Sequence, residues 1–242
     1  MKCHIGTSGW MYDHWRGEFY PPEIPKTKWF SYYAQHFSTV ELNSSFYHLP
    51  SEKAFGTWRD KAPEGFVYAV KGSRYITHLK KLRDVDEPLE TFVSRARLLG
   101  DRLGPLLWQL PPGLKRNDAV LESFLKLLPR DLRHVFEFRN ESWFDDDVYH
   151  LLRNYSAGFC VYDLPGTTTP LVGTADFGYV RFHGSTGLYD SCYTDEEISS
   201  WARKIAKLGK GLSAVYVYFN NDSHAFAVRN AKKLRELWHE GG

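Results

Sequence analysis

"HVFEFRN", residues 134–140, joins an apolar, strand-like run to two opposite charges. Phe136 and Phe138 alternate in it with Glu137 and Arg139, and successive side chains of a β-strand point to opposite faces of the sheet. The two phenylalanines therefore share one face, and the two charged residues share the other. We interpret the first face as packed against helices and the second as pointing into the interior of a closed sheet.

Eight β-rich runs of this kind recur along the 242 residues: "KCHIG" (2–6), "TVELNSSF" (39–46), "FVYAVKG" (66–72), "GPLLWQLPP" (104–112), "HVFEFRN" (134–140), "GFCVYDLP" (158–165), "FGYVRFHG" (177–184) and "AVYVYFNN" (214–221). Amphipathic segments with helix punctuation separate most of them. A strand-then-helix order with roughly 30 residues per repeat predicts an α/β fold, a (β/α)8 TIM-type barrel. No linker-like tract interrupts the pattern, which predicts a single domain over residues 1–242.

The interval after the sixth run differs from the others. "GTTTPLVGTAD", residues 166–176, is short and rich in Gly, Thr and Pro, so we expect the sixth helix to be short or missing. By contrast, Thr194 is followed three residues later by Glu197, a capping-box pattern that predicts the start of a helix.

The same alternation places a polar residue on the inward face near the end of nearly every strand. The predicted inward residues include Glu41, Asn43, Lys71, Gln109, Glu137, Arg139, Asp163, Arg181, His183, Tyr218 and Asn220. Barrel enzymes build their active sites at this end of the strands. The alternative is a polar layer that neutralises itself, through Glu137 with Arg139 and through Glu41 with Lys71 or Arg181. Buried ion pairs seldom add net stability, so their number favours a functional site.

Side-chain chemistry divides these residues by role. The candidate catalytic residues are Glu41, Glu137, Asp163 and His183, and the candidate clamps for an anionic or carbonyl oxygen are Lys71, Arg139 and Arg181. His183 leads as general acid/base because imidazole titrates near neutrality, although a strand-end histidine could equally be a hydrogen-bonded core residue. One of the two glutamates is expected to be only an orienting group.

The loops offer further candidates for substrate binding. "HGSTG" (183–187) and "NNDSH" (220–224) follow the seventh and eighth runs, where barrels often hold phosphate, although residues 221–223 could simply cap the last helix. "KGSRYITHLKKLRD" (71–84) could grip phosphates or be a solvated basic surface. Trp10 and Trp143 could form an aromatic wall or pack in the core. The candidate substrate-binding residues are Trp10, Asn43, Lys71, His78, Gln109, Arg139, Trp143, Arg181, Asn220 and Asn221.

Composition limits the other possibilities. Lysine and arginine number 31 against 29 aspartates and glutamates, so no overall charge favours nucleic acid. Three widely spaced cysteines indicate neither a disulfide framework nor a zinc ribbon and suit a reducing cytoplasm. The start "MKCHIGTSGW" has no apolar signal region, and no run approaches the roughly 18 apolar residues of a membrane span. We expect an unprocessed, soluble, cytoplasmic protein without membrane contact.

The sequence lacks the common motifs for binding cofactors and for several kinds of catalysis. The sequence contains no P-loop, no G-x-G-x-x-G fingerprint, no H-E-x-x-H and no G-x-S-x-G. Glu41, Glu137, Asp163 and His183 could together bind a metal, but the cationic side chains predicted for the same ring would oppose a divalent ion. We therefore predict no metal and no cofactor.

Several stretches resemble the YecE-like family, a domain of unknown function. They are "IGTSGW", "TVELNSSFY", "YAVKGSRYITHLKKL", "GPLLWQLPP", "FEFRNESW", "YVRFHG" and "VYFNND", spread from Ile5 to about Trp238. The resemblance implies a TIM-type barrel with a polar pocket at its C-terminal face. It also implies functional positions at Gly6, Ser8, Trp10, Glu41, Asn43, Lys71, Thr77, His78, Gln109, Pro111, Glu137, Arg139, Trp143, Arg181, His183, Gly184, Asn220 and Asn221. It supplies no reaction.

Three functions are compatible with these patterns. The first is a metal-independent acid/base enzyme, of hydrolase or lyase type, whose small polar substrate could be phosphorylated. The second is a metal-dependent phosphoester hydrolase, and the third is a non-catalytic binder of nucleic acid or another ligand, with weak support for nucleic acid. Because the barrel hosts many unrelated reactions, the fold cannot choose among them. The oligomeric state is not predicted.

Overall fold

The computed structural model describes residues 1–240, and the side chains of residues 1–238. Its strands are β1 (Lys2–Thr7), β2 (Thr39–Leu42), β3 (Val67–Lys71), β4 (Leu103–Gln109), β5 (His134–Glu137), β6 (Gly158–Leu164), β7 (Thr167–Thr168), β8 (Phe177–Phe182) and β9 (Ala214–Phe219). Within the described part they form one sheet in the order β1-β9-β8-β6-β5-β4-β3-β2, with β7 paired to β6 outside this path. All eight predicted strands are therefore present.

Helices follow the strands as predicted. They are α1 (Trp29–His36), α2 (Ser44–Tyr47), α3 (Glu52–Lys61), α4 (Asp86–Arg97), α5 (Asp118–Leu127), α6 (Asp146–Asn154), α7 (Asp195–Gly209) and α8 (Phe226–Glu240). Between β6 and β8, residues 165–176 carry only the two-residue strand β7, which pairs antiparallel with β6. The helix expected after the sixth strand, β6, is therefore missing, as the composition of this interval predicts.

The chain divides into two compact units. Unit 1 comprises Met1–Glu41, Val161–Gly173 and the chain from Phe177 on, and unit 2 comprises Leu42–Cys160 and Thr174–Asp176. The single domain over residues 1–242 stays a prediction.

Unit 1 is built on β1, β9 and β8, which pair in parallel over six residues each. Their runs are almost wholly buried, as expected for parallel strands covered on both faces. The helix α7 begins at the predicted capping box, because Thr194 Oγ1 accepts from the Glu197 amide and Glu197 accepts from the Thr194 amide. At Gly6 a side chain would overlap the Thr39 carbonyl oxygen, so this position of β1 requires glycine.

Unit 2 is built on β3, β4 and β5, again in parallel. In β4 and β5, Trp108 lies opposite Phe136 on one face, and Gln109 lies opposite Glu137 on the other. Phe124 of α5 packs edge-on against both rings of the first face, at 5.1 and 6.0 Å between centroids. That face is therefore the helix side, and Glu137 and Gln109 point away from it.

A buried histidine in unit 2 predicts a pH dependence of stability. Trp108 Nε1 donates to His134 Nδ1 over 3.2 Å, and His134 Nε2 lies 3.0 Å from the Pro129 carbonyl oxygen. These contacts suit a neutral ring, and burial lowers the pKa of His134 to about 4. Below about pH 6.5 the unfolded chain takes up a proton that the folded ring refuses, so stability falls as the pH drops toward 4.

We expect His134→Gln to remove part of this decline. Between pH 7 and pH 4.5, the free energy of unfolding measured with urea should fall by roughly 2–3 kcal/mol less in the variant than in the parent protein. His150→Gln, at an exposed position, is the matched control and should follow the parent. Equal declines in all three proteins would contradict the assignment.

Candidate functional site

Three residues of unit 1 donate hydrogen bonds to one buried carboxylate, that of Glu41. Glu41, in β2, is fully buried. Its Oε1 accepts from Ser8 Oγ at 2.8 Å and from Arg181 Nη2 at 2.7 Å, and its Oε2 accepts from the Tyr179 hydroxyl at 2.6 Å. Arg181 and Tyr179 lie two residues apart on β8 and so share a face. The structure therefore brings Glu41 and Arg181 together on the face where alternation expects them.

The protonation of Tyr179 explains the direction of its hydrogen bond with Glu41. Burial, followed by the nearby Glu41 carboxylate, holds the pKa of Tyr179 well above its ordinary value. The phenol therefore keeps its proton and donates a hydrogen bond to Glu41. Three donors hold this carboxylate in one position, and one of them is the Arg181 guanidinium. This arrangement suits Glu41 as the group that orients Arg181.

His183 lies two residues beyond Arg181 on the same chain segment, about 7 Å further along an extended strand. It is fully buried, and its Nδ1 lies 3.2 Å from Asn220 Nδ2. An amide nitrogen can only donate, so Nδ1 is the acceptor and the imidazole proton of the neutral ring resides on Nε2. Asn220, at the end of β9, therefore sets the tautomer of His183.

The loop after His183 is held by contacts of its own. Gly184 has φ of +106°, and a side chain there would overlap the Gly187 carbonyl oxygen. The Gly184 amide donates to the Tyr193 hydroxyl at 3.2 Å, and the Thr186 amide donates to Ser191 Oγ at 3.2 Å. Two of the backbone N–H groups that a phosphate would use are therefore already engaged. This arrangement does not favour the phosphate loop expected at "HGSTG".

Asp163 lies on the face opposite to the one predicted. Tyr162, one residue earlier, packs its ring against His183 at 6.2 Å, so Asp163 points the other way, toward α7. There it accepts from the Tyr193 hydroxyl at 2.9 Å and from Thr168 Oγ1 at 2.5 Å. The prediction failed because β6 is apolar on both faces, so hydrophobic alternation cannot tell which face is inward.

In unit 2, Glu137 and Arg139 form the ion pair that "HVFEFRN" indicates, through Arg139 Nε and Glu137 Oε1. Glu137 is fully buried, and the Arg139 side chain is 11% exposed. Cys160 Sγ lies 3.8 Å from Glu137 Oε2, and Gln109 is the neighbour of Glu137 across β4 and β5. Three predicted site residues, Gln109, Glu137 and Arg139, thus lie together in this unit.

A second group in unit 2 gathers around Phe46. Lys71 Nζ lies 4.1 Å from the Phe46 ring centroid, and the His78 ring meets Phe46 edge-on at 5.0 Å. Burial, followed by the charge of Lys71, lowers the pKa of His78 to about 4. His78 is therefore neutral at pH 7 and adds no positive charge for a phosphate. Asn43 Oδ1 is buried without a hydrogen-bond partner among the described residues.

Three predicted binding residues are packed in the protein interior. Trp143 stacks on Phe138 at 4.8 Å, and its Nε1 donates to the Leu114 carbonyl. Asn221 Nδ2 donates to the Ser191 carbonyl oxygen and to Asn230 Oδ1. Trp10 is 8% exposed and lies edge-on to Phe30 at 5.4 Å. All three side chains are packed in the interior, which agrees with the core and capping alternatives, and their predicted role in substrate binding stays a prediction.

Comparison with known proteins places the chain in a family. A family model described as a protein of unknown function, DUF72, matches residues 4–242. The chain belongs to the DUF72 family. It is 28% identical to the UPF0759 protein YunF of Bacillus subtilis over 97% of this chain and 94% of that protein. It is 32% identical to the UPF0759 protein YecE of Escherichia coli K12 over 46% of this chain and 42% of that protein. The YecE-like resemblance is confirmed.

Solved DUF72 structures have the same fold. A crystal structure of a DUF72 family protein (TM1631) from Thermotoga maritima superposes with a TM-score of 0.90 at 30% identity, covering 99% of this chain and all of that one. A DUF72 family protein (EF0366) from Enterococcus faecalis gives 0.86 at 19% identity over 98% and 95% of the two chains. With the parallel strand order above, this confirms the α/β TIM-type barrel.

Residues of the first loop that the sequence patterns did not single out contact Ser8 and Asp222 in the DUF72 chain. The Tyr12 hydroxyl donates to the Ser8 carbonyl oxygen at 2.5 Å, next to the Glu41 network. The Asp222 carbonyl accepts from His14 Nε2 and Trp15 Nε1, both at 2.8 Å. Burial raises the pKa of the Asp222 carboxyl, which makes no capping bond to the following turn. The stretch "MYDHW", residues 11–15, is dense in aromatic and charged side chains, and this density could have indicated the contacts of the first loop.

In the part of the chain that the structure describes, no three His, Cys, Asp or Glu side chains form a group that could hold a metal ion. None of its helices combines the length with the apolar character that crossing a bilayer requires.

Proposed function

We propose that this DUF72 protein is an enzyme in which His183 acts as general acid/base on a small polar substrate, without a metal ion. The observation that carries the proposal is the His183–Asn220 contact at the ends of β8 and β9. As a general acid, the ring first takes up a proton at Nδ1 in place of the Asn220 bond, and the imidazolium then gives its Nε2 proton to the substrate and later recovers it. Reactions of hydrolase or lyase type need such a group.

The Glu41–Arg181 pair supports this assignment. Arg181 is held in one position by Glu41, two residues from His183, and an oriented guanidinium stabilises negative charge that develops on a nearby oxygen. Lys71 and Arg139, in unit 2, stay clamps predicted from the sequence alone, and phosphorylated compounds are among the proposed substrates. The cytoplasmic location also stays a proposal.

The alternatives predict different ligands. A metal-dependent hydrolase would need carboxylates for its metal, whereas Glu41 and Glu137 are each bound to an arginine. A nucleic-acid binder finds one supporting observation, because Tyr75 is 44% exposed and Lys80 Nζ lies 5.9 Å from its ring centroid. Exposed rings beside cations can stack on bases.

A thermal-shift screen tests the proposal, because any ligand of the native state raises the midpoint of unfolding. The panel contains inorganic phosphate, sugar phosphates, dicarboxylates, nucleotides, divalent metals and short oligonucleotides. We expect a small-molecule shift that is lost in His183→Ala and kept in His150→Ala, the matched control at an exposed position. Shifts only with metal or only with oligonucleotide would favour an alternative, and a small-molecule shift indifferent to His183 would contradict the proposal.

A further inference from the structure

A cavity of about 400 Å³ lies in unit 1 between the β6–β7 hairpin, the loop after β8 and α7. Its wall includes Asp163, Thr168, Ser185, Ser200, Trp201 and Lys204. The volume is within the usual range for small-molecule sites. Asp163, which the sequence predicts as catalytic, lies in this wall, but neither His183 nor Arg181 of the proposed function lines it, so the cavity is distinct from the proposed catalytic centre.

The chemistry of the wall selects against charged ligands. The carboxylates of Asp163 and Glu197 and the ammonium of Lys204 are all present, so an anion and a cation each meet a like charge. Lys204 Nζ already lies 4.3 Å from the Trp201 ring centroid, which occupies the ring face that a ligand cation would use. An uncharged ligand avoids both conflicts.

Hydroxyl groups dominate the remaining wall. Thr167, Thr168, Ser185 and Ser200 all line the cavity, and a hydroxyl both donates and accepts. Asp163 is held in place by Thr168 and Tyr193, one bond to each carboxylate oxygen. Each of those oxygens keeps a second lone pair, so a fixed Asp163 can accept from a ligand hydroxyl. Such a wall is complementary to a molecule that carries several hydroxyls.

We propose that this cavity binds an uncharged, polyhydroxylated molecule, that is, a sugar or a polyol. The site goes beyond the proposed function and does not depend on it. It is connected to the His183 segment, because the His183 amide donates to the Asp163 carbonyl oxygen at 2.8 Å and the Gly184 amide donates to the Tyr193 hydroxyl at 3.2 Å. Ser185, the next residue, lines the cavity directly. A bound polyol therefore contacts the segment that carries His183.

The test uses two neighbouring serines of α7. Ser200 lines the cavity and Ser199 does not, and both are half-buried. Ser200→Phe places a ring in the cavity, whereas Ser199→Phe adds the same ring outside its wall and controls for effects on folding. Binding of D-glucose, D-ribose, myo-inositol and glycerol is measured by calorimetry and thermal shift on the full chain.

We expect at least one of these four probes to bind the parent protein and Ser199→Phe, with Kd raised at least about tenfold in Ser200→Phe. His183→Ala should still bind the same probe. Binding in the cavity is therefore tested independently of the enzyme reaction proposed for His183. The inference is overturned if none of the four binds, or if binding survives Ser200→Phe unchanged.

Discussion

Replacing Arg181 by methionine is expected to lower the free energy of unfolding by about 3–5 kcal/mol. Arg181 and Glu41 have side chains 1% and 0% exposed and lie 2.7 Å apart. Methionine keeps much of the volume but leaves Glu41 as a buried charge without its cation, and this uncompensated charge causes the loss. Urea unfolding at pH 7 measures the difference.

Two further variants separate burial from pairing. Arg97 and Asp131 form a two-bond ion pair at the surface, with side chains 45% and 62% exposed, so Arg97→Met should cost less than about 1 kcal/mol. Adding Glu41→Gln to Arg181→Met removes the stranded charge and should recover part of the loss. A cost for Arg181→Met no larger than for Arg97→Met would contradict the buried-pair account.

Replacing His183 by alanine is expected to lower kcat/KM by about 10²–10⁴-fold for the substrate that the ligand screen identifies. The loss should fall mainly on kcat, because the imidazole moves a proton in the transition state rather than holding the substrate. Steady-state rates across pH 5–9 on the purified variants measure it. His150→Ala should leave both constants unchanged.

A variant of Asn220 distinguishes a catalytic role of His183 from a purely structural one. Its amide donates to Nδ1 of the neutral His183 ring, so Asn220→Ala removes a contact that favours the neutral form. The limb of the pH–rate profile that reports His183 should move to higher pH, with a smaller loss of rate than His183→Ala produces. A profile unchanged in shape would refute the role assigned to Asn220, and full activity in His183→Ala would refute the catalytic role.

Sequence patterns were reliable where the two faces of a strand differ in polarity. In β5 and the two residues after it, Phe136 and Phe138 lie two positions apart, as do Glu137 and Arg139, so local alternation settles their faces. The capping box at Thr194 is equally local. In β6 every residue from Phe159 to Tyr162 is apolar, and no periodic difference reveals which face is inward. Asp163 was assigned to the wrong face for this reason.

The sequence alone determined the strand-helix repeat, the missing sixth helix and which polar residues end the strands, because these depend on short-range periodicity and composition. Only the tertiary structure decided the partners. Glu41 binds residues that lie 33, 138 and 140 positions away, and the bond between Asn220 and His183 spans 37. Such contacts follow from which strands become neighbours in the sheet and from their register, and local spacing carries no information about either.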